Sequence, residues 1–433
     1  MSLDELPYCA RLLVDRMTGG IARAAREMAR EIDWEDFRPG RPTVLCLRRA
    51  LFAKDIAELK KRTDLNLPTI QVTTVKRPQE RWVAPKWRRQ AHLWHDLNTS
   101  LPRLKAGLEA FGVAFLEAAC AQHPIDAVAA ANTDYWQDEA LRMGCRKLDI
   151  PFIALSRESY GIGRGRDFVA NNYKSGNFYF NGTGCAVASD VCAGFMRGQA
   201  AMRDAAICAT GWPRYDAWRD YPMPPLKERK WITLMAYGDP RQVQYAAANF
   251  RDVLISFAKA AARQLALPEA QRLHFVIKMK KRNEDDYIRA IQPDLDALGI
   301  EILADMPLPD IVTRSRMIVG FNTLAVLEGL LGSCPVVVPV WSDSDRDPSA
   351  SLLHPDNPDD DLVCYFPRSP ADFELLLTQA EAGTLPPKGS LQERLARFSR
   401  HSVVTSDVTA SQRFDAFVRS LLAAADERRR KGA

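Results

Sequence analysis

Apolar and polar positions alternate along this chain in two repeating blocks of strand and helix. In the first block, residues 10–31 carry apolar side chains at Leu12, Leu13, Ile21, Ala24, Ala25 and Met28, the spacing of one helix face. Pro42 then introduces TVLCLRR, a continuous apolar run that predicts a buried strand. The pattern continues with a helix over 53–62, an extended segment TIQVTTV over 69–75 and a long helix over 101–122. IDAVAAA (125–131) reads as a strand ending at Asn132-Thr133-Asp134, a helix follows over 137–148, and PFIALSRES reads as a strand ending near Glu158. Strands separated by helices of this length predict a parallel sheet.

YPMPPLKERK (221–230) interrupts the pattern with Pro222, Pro224 and Pro225 followed by charges, and reads as a semi-rigid linker. The second block begins with WITLMAY (231–237). It continues with a helix over 243–265, HFVIKMK (274–280), a helix over 284–298 and IEILAD (300–305). A short helix over 307–315, the strand RMIVGF (316–321), the helix LAVLEGLLG (324–332) and the strand PVVVPVW (335–341) complete it. The run from 403 to 425 contains a terminal helix with Phe414, Phe417, Val418, Leu421 and Leu422 on one face. The predicted fold class is α/β, two doubly wound Rossmann-like domains facing a cleft. The expected domains are 1–220, 221–410 and a C-terminal helix with a basic tail, 411–433, packing back on the first.

Composition narrows the function classes. With 47% hydrophobic and 26% charged residues the chain is neither disordered nor fibrous, and a net charge of +5 is too small for a dedicated nucleic-acid binder. The nine cysteines are scattered with no CxxC, so they read as reduced thiols, mostly core, in a cytosolic protein. There is no HExxH and little support for zinc. No apolar run approaches the about 20 residues that span a bilayer. MSLDELPYCARLL lacks the basic and apolar regions of a signal peptide.

Three segments carry a resemblance. IEILADMPLPDIVTRSRMIVGFNTLAVLEGLLGSCPVVVPVW (300–341) resembles the donor half of a GT-B glycosyltransferase, with a strand, a short helix, a strand ending in a Gly-x-Asn/Ser-Ser/Thr turn, and a helix carrying a glutamate. TGWPRYDAW (210–218) resembles the TGNPRxD segment that closes the first domain in enzymes of bacterial surface-carbohydrate synthesis. HFVIKMKKR (274–282) stands where relatives carry Lys-x-His-Pro, with Met279-Lys280 in place of His-Pro. The resemblance covers about residues 200–400, and the related groups include capsule and lipopolysaccharide sugar transferases, among them Kdo transferases, and the CDP-glycerol transferases. It implies a metal-independent transferase that moves a sugar from a nucleotide-sugar to a glycan or glycolipid acceptor, CMP-Kdo being one donor. No resident cofactor and no nucleic-acid partner are expected. A sugar-nucleotide 2-epimerase and a catalytically inactive scaffold of the same architecture are the alternatives.

Gly320 and Thr323, flanking Asn322, would let a phosphate approach the backbone at a helix N-terminus, or else form an ordinary N-cap on a buried helix. Glu328, on the following helix, is implied by the resemblance to hold ribose hydroxyls, or else pairs with Arg314 or Arg316. Lys278 ends a strand and suits a leaving phosphate. Asp305 and Met306, at the end of the strand IEILAD, are further candidates for nucleotide-sugar contacts. Arg241 and Asp239 in YGDPRQ are candidates for gripping the donor and for attacking its anomeric carbon, against an Asp-Pro turn. Transfer to a hydroxyl needs a base. Glu158 is the first candidate and Asp134 the second, each weighed against a capping role. Gly161, Gly163 and Gly165 read as a mobile loop over the acceptor. Asp343, Asp345 and Asp347 read as a solvated loop rather than a metal site.

The segment 76–95 mixes basic residues with Trp82, Trp87 and Trp94. It reads as a surface that docks on an anionic membrane, placing the protein peripherally at the inner face of the cytoplasmic membrane, or as a loop whose tryptophans pack inward; RNA binding is a third reading, weakened by the lack of any matching motif.

Overall fold

The computed structural model describes residues 3–50, 52–94, 98–159, 161–162, 165–236, 247–279, 286–321, 323–342, 351–405 and 407–432. The chain divides into two compact units, Met1–Ala217 with His401–Ala433, and Trp218–Arg400. Both are α/β.

The first unit is built on six parallel strands: β1 (Val44–Arg48), β2 (Thr69–Gln71), β3 (Ala127–Ala130), β4 (Phe152–Leu155), β5 (Gly184–Val187) and β6 (Ala206–Ala209). Their order is β2-β1-β3-β4-β5-β6. Register pairs Leu45 with Val128, Ala129 with Ile153, Ala154 with Cys185 and Ala186 with Cys208. β1, β3, β4 and β5 are almost wholly buried, which is why they read as unbroken apolar runs.

The helix Ala410–Gly432 seals one face of this sheet. Its Phe414, Phe417, Val418 and Leu421 join Val44, Cys46, Phe52, Leu59, Ala127, Ile153 and Ala186 in one core. Asp216 anchors its start, accepting from Ala410 N at 2.8 Å, Ser411 N at 2.8 Å and Ser411 Oγ at 2.7 Å.

The second unit carries β7 (Trp231–Met235), β8 (His274–Lys278), β9 (Ile300–Leu303), β10 (Ser315–Val319) and β11 (Val336–Val337), all parallel in the order β11-β10-β7-β8-β9. Its core joins Ile232, Leu234, Phe257, Phe275, Ile277, Met317 and Val319, with Phe257 and Phe275 edge to face at 4.8 Å. The proline-rich stretch belongs to this unit. The Arg316 guanidinium donates to Lys227 O at 2.8 Å and Arg229 O at 3.1 Å, and Arg229 Nη1 donates to Gly332 O at 2.8 Å.

Three local expectations are corrected. Residues 10–31 are not one helix but Leu6–Met17 and Gly20–Ala29, broken where Gly19 takes φ of +72°. TIQVTTV is extended only over Thr69–Gln71, and Val72–Gln79 is helical. The glycine-rich stretch is helical from Gly165 to Lys174 rather than a loop throughout. All nine cysteines are free, six of them buried. None of the described helices is long and apolar enough to cross a membrane.

Candidate functional site

In a doubly wound sheet, the strand carboxyl ends beside the point where strand order reverses gather loops and unpaired N–H groups. In the first unit that point lies between β1 and β3, because the chain runs from β1 outward to β2 and from β3 outward to β4. A band of polar and charged residues follows the strands there. Arg49, just past β1, donates through Nη2 to both oxygens of Asp138, at 3.1 and 3.3 Å, and lies over the Tyr135 ring at 3.9 Å. Burial raises the Asp138 carboxyl above the usual carboxylate range, against the pull of Arg49 and Arg142. Arg142 is 1% exposed. It donates to Thr133 O at 2.9 Å, pairs with Glu139 at 2.7 Å and faces the rings of Phe152, Tyr179 and Phe180.

Asp134 sits in the middle of this band. Its Oδ1 is buried with no hydrogen-bond partner among the described residues. Burial lifts its pKa; Arg142 pulls it down, while Glu158 and Asp138 push it further up. Asn132 bridges the neighbouring strand ends, donating to Tyr135 Oη at 3.0 Å and accepting from Arg157 N at 3.4 Å. Glu158 is exposed. Of the two expected bases, therefore, Asp134 has the enclosed setting that tunes a carboxylate.

Beyond β4, one buried carboxylate serves two arginines. Asp55 Oδ1 accepts from Arg214 N at 3.0 Å, and Oδ2 stands 3.3 Å from Arg157 Nε and 3.7 Å from Arg214 Nη1. The Arg214 guanidinium stacks 4.2 Å above Trp212. Burial, and then the charge of Arg214, hold the Arg157 pKa below the ordinary arginine value. The TGWPRYD segment is thus an architectural junction. Trp212 Nε1 donates to Ser156 O at 2.7 Å, Thr210 O accepts from Arg413 Nε at 2.8 Å, and Asp216 caps the terminal helix.

In the second unit the reversal lies between β7 and β10. Gly320 follows β10, and a Cβ there would fall 2.4 Å from Val326 Cγ2 and 3.0 Å from Met235 Cβ. The glycine is dictated by the packing of β7, β10 and the next helix. Thr323 caps that eight-residue helix, Leu324–Leu331, its Oγ1 accepting from Ala325 N at 3.4 Å. Lys278, at the end of β8, is half-buried and donates to Ala304 O at 2.5 Å, next to exposed Asp305 and half-buried Met306. Glu328 is partly buried on the Leu324–Leu331 helix. Of the two arginines suggested for it, Arg316 donates to backbone carbonyls and Arg314 stands over the Trp231 ring at 5.2 Å.

Asp239, Arg241, Asn322, Gly163 and the Asp343–Asp347 run lie outside the described residues. Sequence reasoning missed Arg49, Asp55, Asp138, Arg142, Ser156 and Arg157 as members of the first-unit band. The one available signal was the neighbourhood of Glu158 in SRES. The tryptophans of 76–95 point inward: Trp82 Nε1 donates to Asp15 at 2.9 Å, Trp87 Nε1 donates to Glu5 at 3.0 Å, and Trp94 is 1% exposed. They are not available as membrane anchors. Among the described residues no group of three or more His, Cys, Asp or Glu side chains could hold a metal ion.

No protein-family model matches this chain, and no curated protein matches it in sequence. Among solved structures, the S. aureus MnaA–UDP co-structure is similar at 14% identity and a TM-score of 0.46, over 88% of this chain and 97% of that one. UDP-GlcNAc 2-epimerase from Neisseria meningitidis bound to UDP-GlcNAc is similar at 12% identity and a TM-score of 0.45, over 88% and 100%. An α,α-trehalose 6-phosphate synthase from Burkholderia multivorans is similar at 14% identity and a TM-score of 0.42, over 90% and 98%.

Proposed function

We propose that this protein is a glycosyltransferase that takes a sugar from a nucleotide-sugar and places it on a hydroxyl of a cell-surface glycan or lipid-linked acceptor. The reading is supported by two switch points in one chain with different chemistry. The second unit's point has a close-packed glycine turn, a threonine-capped helix and Lys278, groups suited to a nucleotide phosphate. The first unit's point has Asp134. That carboxyl, with its Oδ1 buried and without a hydrogen-bond partner among the described residues and with a raised pKa, is the observation that carries the proposal. A base is most effective when its pKa lies near the working pH.

In this reading Asp134 takes the proton of the acceptor hydroxyl as that oxygen bonds to the anomeric carbon. The bond from the anomeric carbon to the phosphate oxygen breaks, and the nucleotide leaves with the electron pair. Lys278 and the N–H groups at the start of Leu324–Leu331 offset the charge that develops on the leaving phosphate.

Purified protein incubated with UDP-, GDP- and CMP-sugars, with thermal unfolding followed, tests the donor half, because a ligand that binds only the native state raises Tm. At least one nucleotide should raise Tm, and Lys278→Met should weaken the effect. A CMP response favours Kdo-type donors. Release of nucleotide should need an acceptor and be lost in Asp134→Asn. Conversion of UDP-sugar to its 2-epimer, without transfer, overturns the reading in favour of an epimerase.

A further inference from the structure

The loop that leaves β4 has polar groups that the fold itself does not use. Ser156 is fully buried and its Oγ has no hydrogen-bond partner among the described residues. The same holds for Ser159 Oγ and for Nη1 and Nε of Arg157, whose only ion pair among the described residues is the 3.3 Å approach of Nε to Asp55. Two hydroxyls and a guanidinium edge thus lie unanswered within four consecutive residues. Unmade hydrogen bonds of buried groups cost stability, so an arrangement of several at one strand end calls for a ligand that completes them.

Charge identifies the class of ligand. Arg157 and Arg214 both converge on Asp55 Oδ2, so one carboxylate oxygen serves two guanidinium groups. Asp216 is occupied in capping the terminal helix. Hydroxyls and a planar guanidinium are donors that suit an oxyanion, and arginine can offer paired N–H groups to phosphate or carboxylate.

We infer that Ser156, Arg157 and Ser159, backed by Arg214, form an oxyanion site on the first unit that recognises a phosphate or carboxylate group on the acceptor. Its assignment to the acceptor rests on the transferase reading above; the anion site itself does not. The site sits one residue from Glu158 and shares Asn132 with the Tyr135 and Asp134 neighbourhood, so an anionic group held there would bring its parent sugar to the carboxyl edge where Asp134 lies.

The test is calorimetric titration of the full chain with inorganic phosphate, glucose 6-phosphate, glucuronate and glucose, with UDP and CMP titrated in parallel. The anionic ligands should bind and glucose should not, and preference between the two sugars tells phosphate from carboxylate. Arg157→Gln should weaken the anions about 10- to 100-fold, the range of a charge-assisted hydrogen bond, and leave nucleotide binding unchanged. Because Arg157 approaches a buried carboxylate, that variant can fail to fold. The double variant Ser156→Ala/Ser159→Ala removes only hydroxyls that hold nothing, so it should keep the fold and still lose about fivefold or more. Equal anion affinity in wild type and a folded variant overturns the inference, as does equal binding of glucose. Arg157-dependent anion binding without any nucleotide binding would leave the site standing and remove the donor reading. Nucleotide binding with no anion binding would do the reverse.

Discussion

Asp134→Asn should make the protein more stable while abolishing transfer. Asp134 is half-buried, its Oδ1 is enclosed with no hydrogen-bond partner among the described residues, and its pKa is raised chiefly by burial. Leaving a buried polar group unsatisfied costs about 1–3 kcal/mol, and more when it is charged. The amide still buries a polar group but not an ionised one, so a gain of about 1–2 kcal/mol is expected at pH 7. For a unit of this size that is about 2–8 °C in the melting of the first unit, at about 2–4 °C per kcal/mol. The pH dependence gives the sharper test. Between the ordinary carboxyl pKa of 3.8 and the raised native value, the folded state holds the proton that the unfolded state has released. Wild-type stability therefore falls as pH rises through that window. Asp55 is also raised by burial but does not feel Asp134, so it contributes the same slope to both proteins, and the difference between the two reports Asp134 together with its repulsion of Asp138. Thermal unfolding from pH 3 to pH 8 should show the variant's advantage absent below the window and at a plateau above it. A variant less stable at pH 7, or an advantage independent of pH, would mean that the carboxylate is compensated in the fold and is not poised as a base.

Other consequences can be checked separately. Gly320→Ala should destabilise the second unit by about 1–3 kcal/mol in urea unfolding, since the methyl would meet Val326 Cγ2 at 2.4 Å and Met235 Cβ at 3.0 Å. Asp216→Ala removes three hydrogen bonds at the start of Ala410–Gly432. It should cost the first unit about 2–3 kcal/mol and lower hydrogen-exchange protection along that helix first. Thiol titration of the native protein should find at most Cys9, Cys120 and Cys208 reacting quickly. The other six are buried, with Cys192 pushed up to about 11 and Cys46, Cys185 and Cys334 to about 12. More than three fast thiols would show that the cores open readily.

Where hydrophobic period and element length agreed, the fold was legible in the sequence. TVLCLRR, WITLM and HFVIK are buried apolar runs flanked by helices, and each is a parallel strand. TIQVTTV misled because β-branched residues favour strands, a preference that tertiary contacts override. Thr74 Oγ1 donates to Glu31 at 2.9 Å, and Gln79 Nε2 donates to Gln137 O at 2.7 Å, holding Val72–Gln79 as a helix against distant parts of the unit. β5 (GCAV) and β6 (AICA) were not read as strands, although they are no shorter than β3 (AVAA), which was. The candidate site was legible as a place rather than as a set of residues. Strand ends named Asp134, Glu158, Lys278 and Gly320, but exposure separates Glu158 from Asp134 and no local pattern encodes it. The convergence of Arg157 and Arg214 on Asp55 joins residues far apart in sequence. Gly320 was read as an opening for phosphate, and the packing of Met235 and Val326 around it is a sufficient reason of its own.

Because the second unit is inserted between Ala217 and His401, the order of synthesis and the order of completion differ. A ribosome releases every strand of the first sheet before it begins the second unit, yet Phe414, Val418 and Leu421, which close the first core, emerge only after the whole second unit. The nascent first sheet must wait with an apolar face uncovered while the later unit already has all of its own parts. Truncation near residue 400 should therefore leave the second unit foldable and turn the first into a substrate for chaperones and proteases, although all six strands of its sheet are still present.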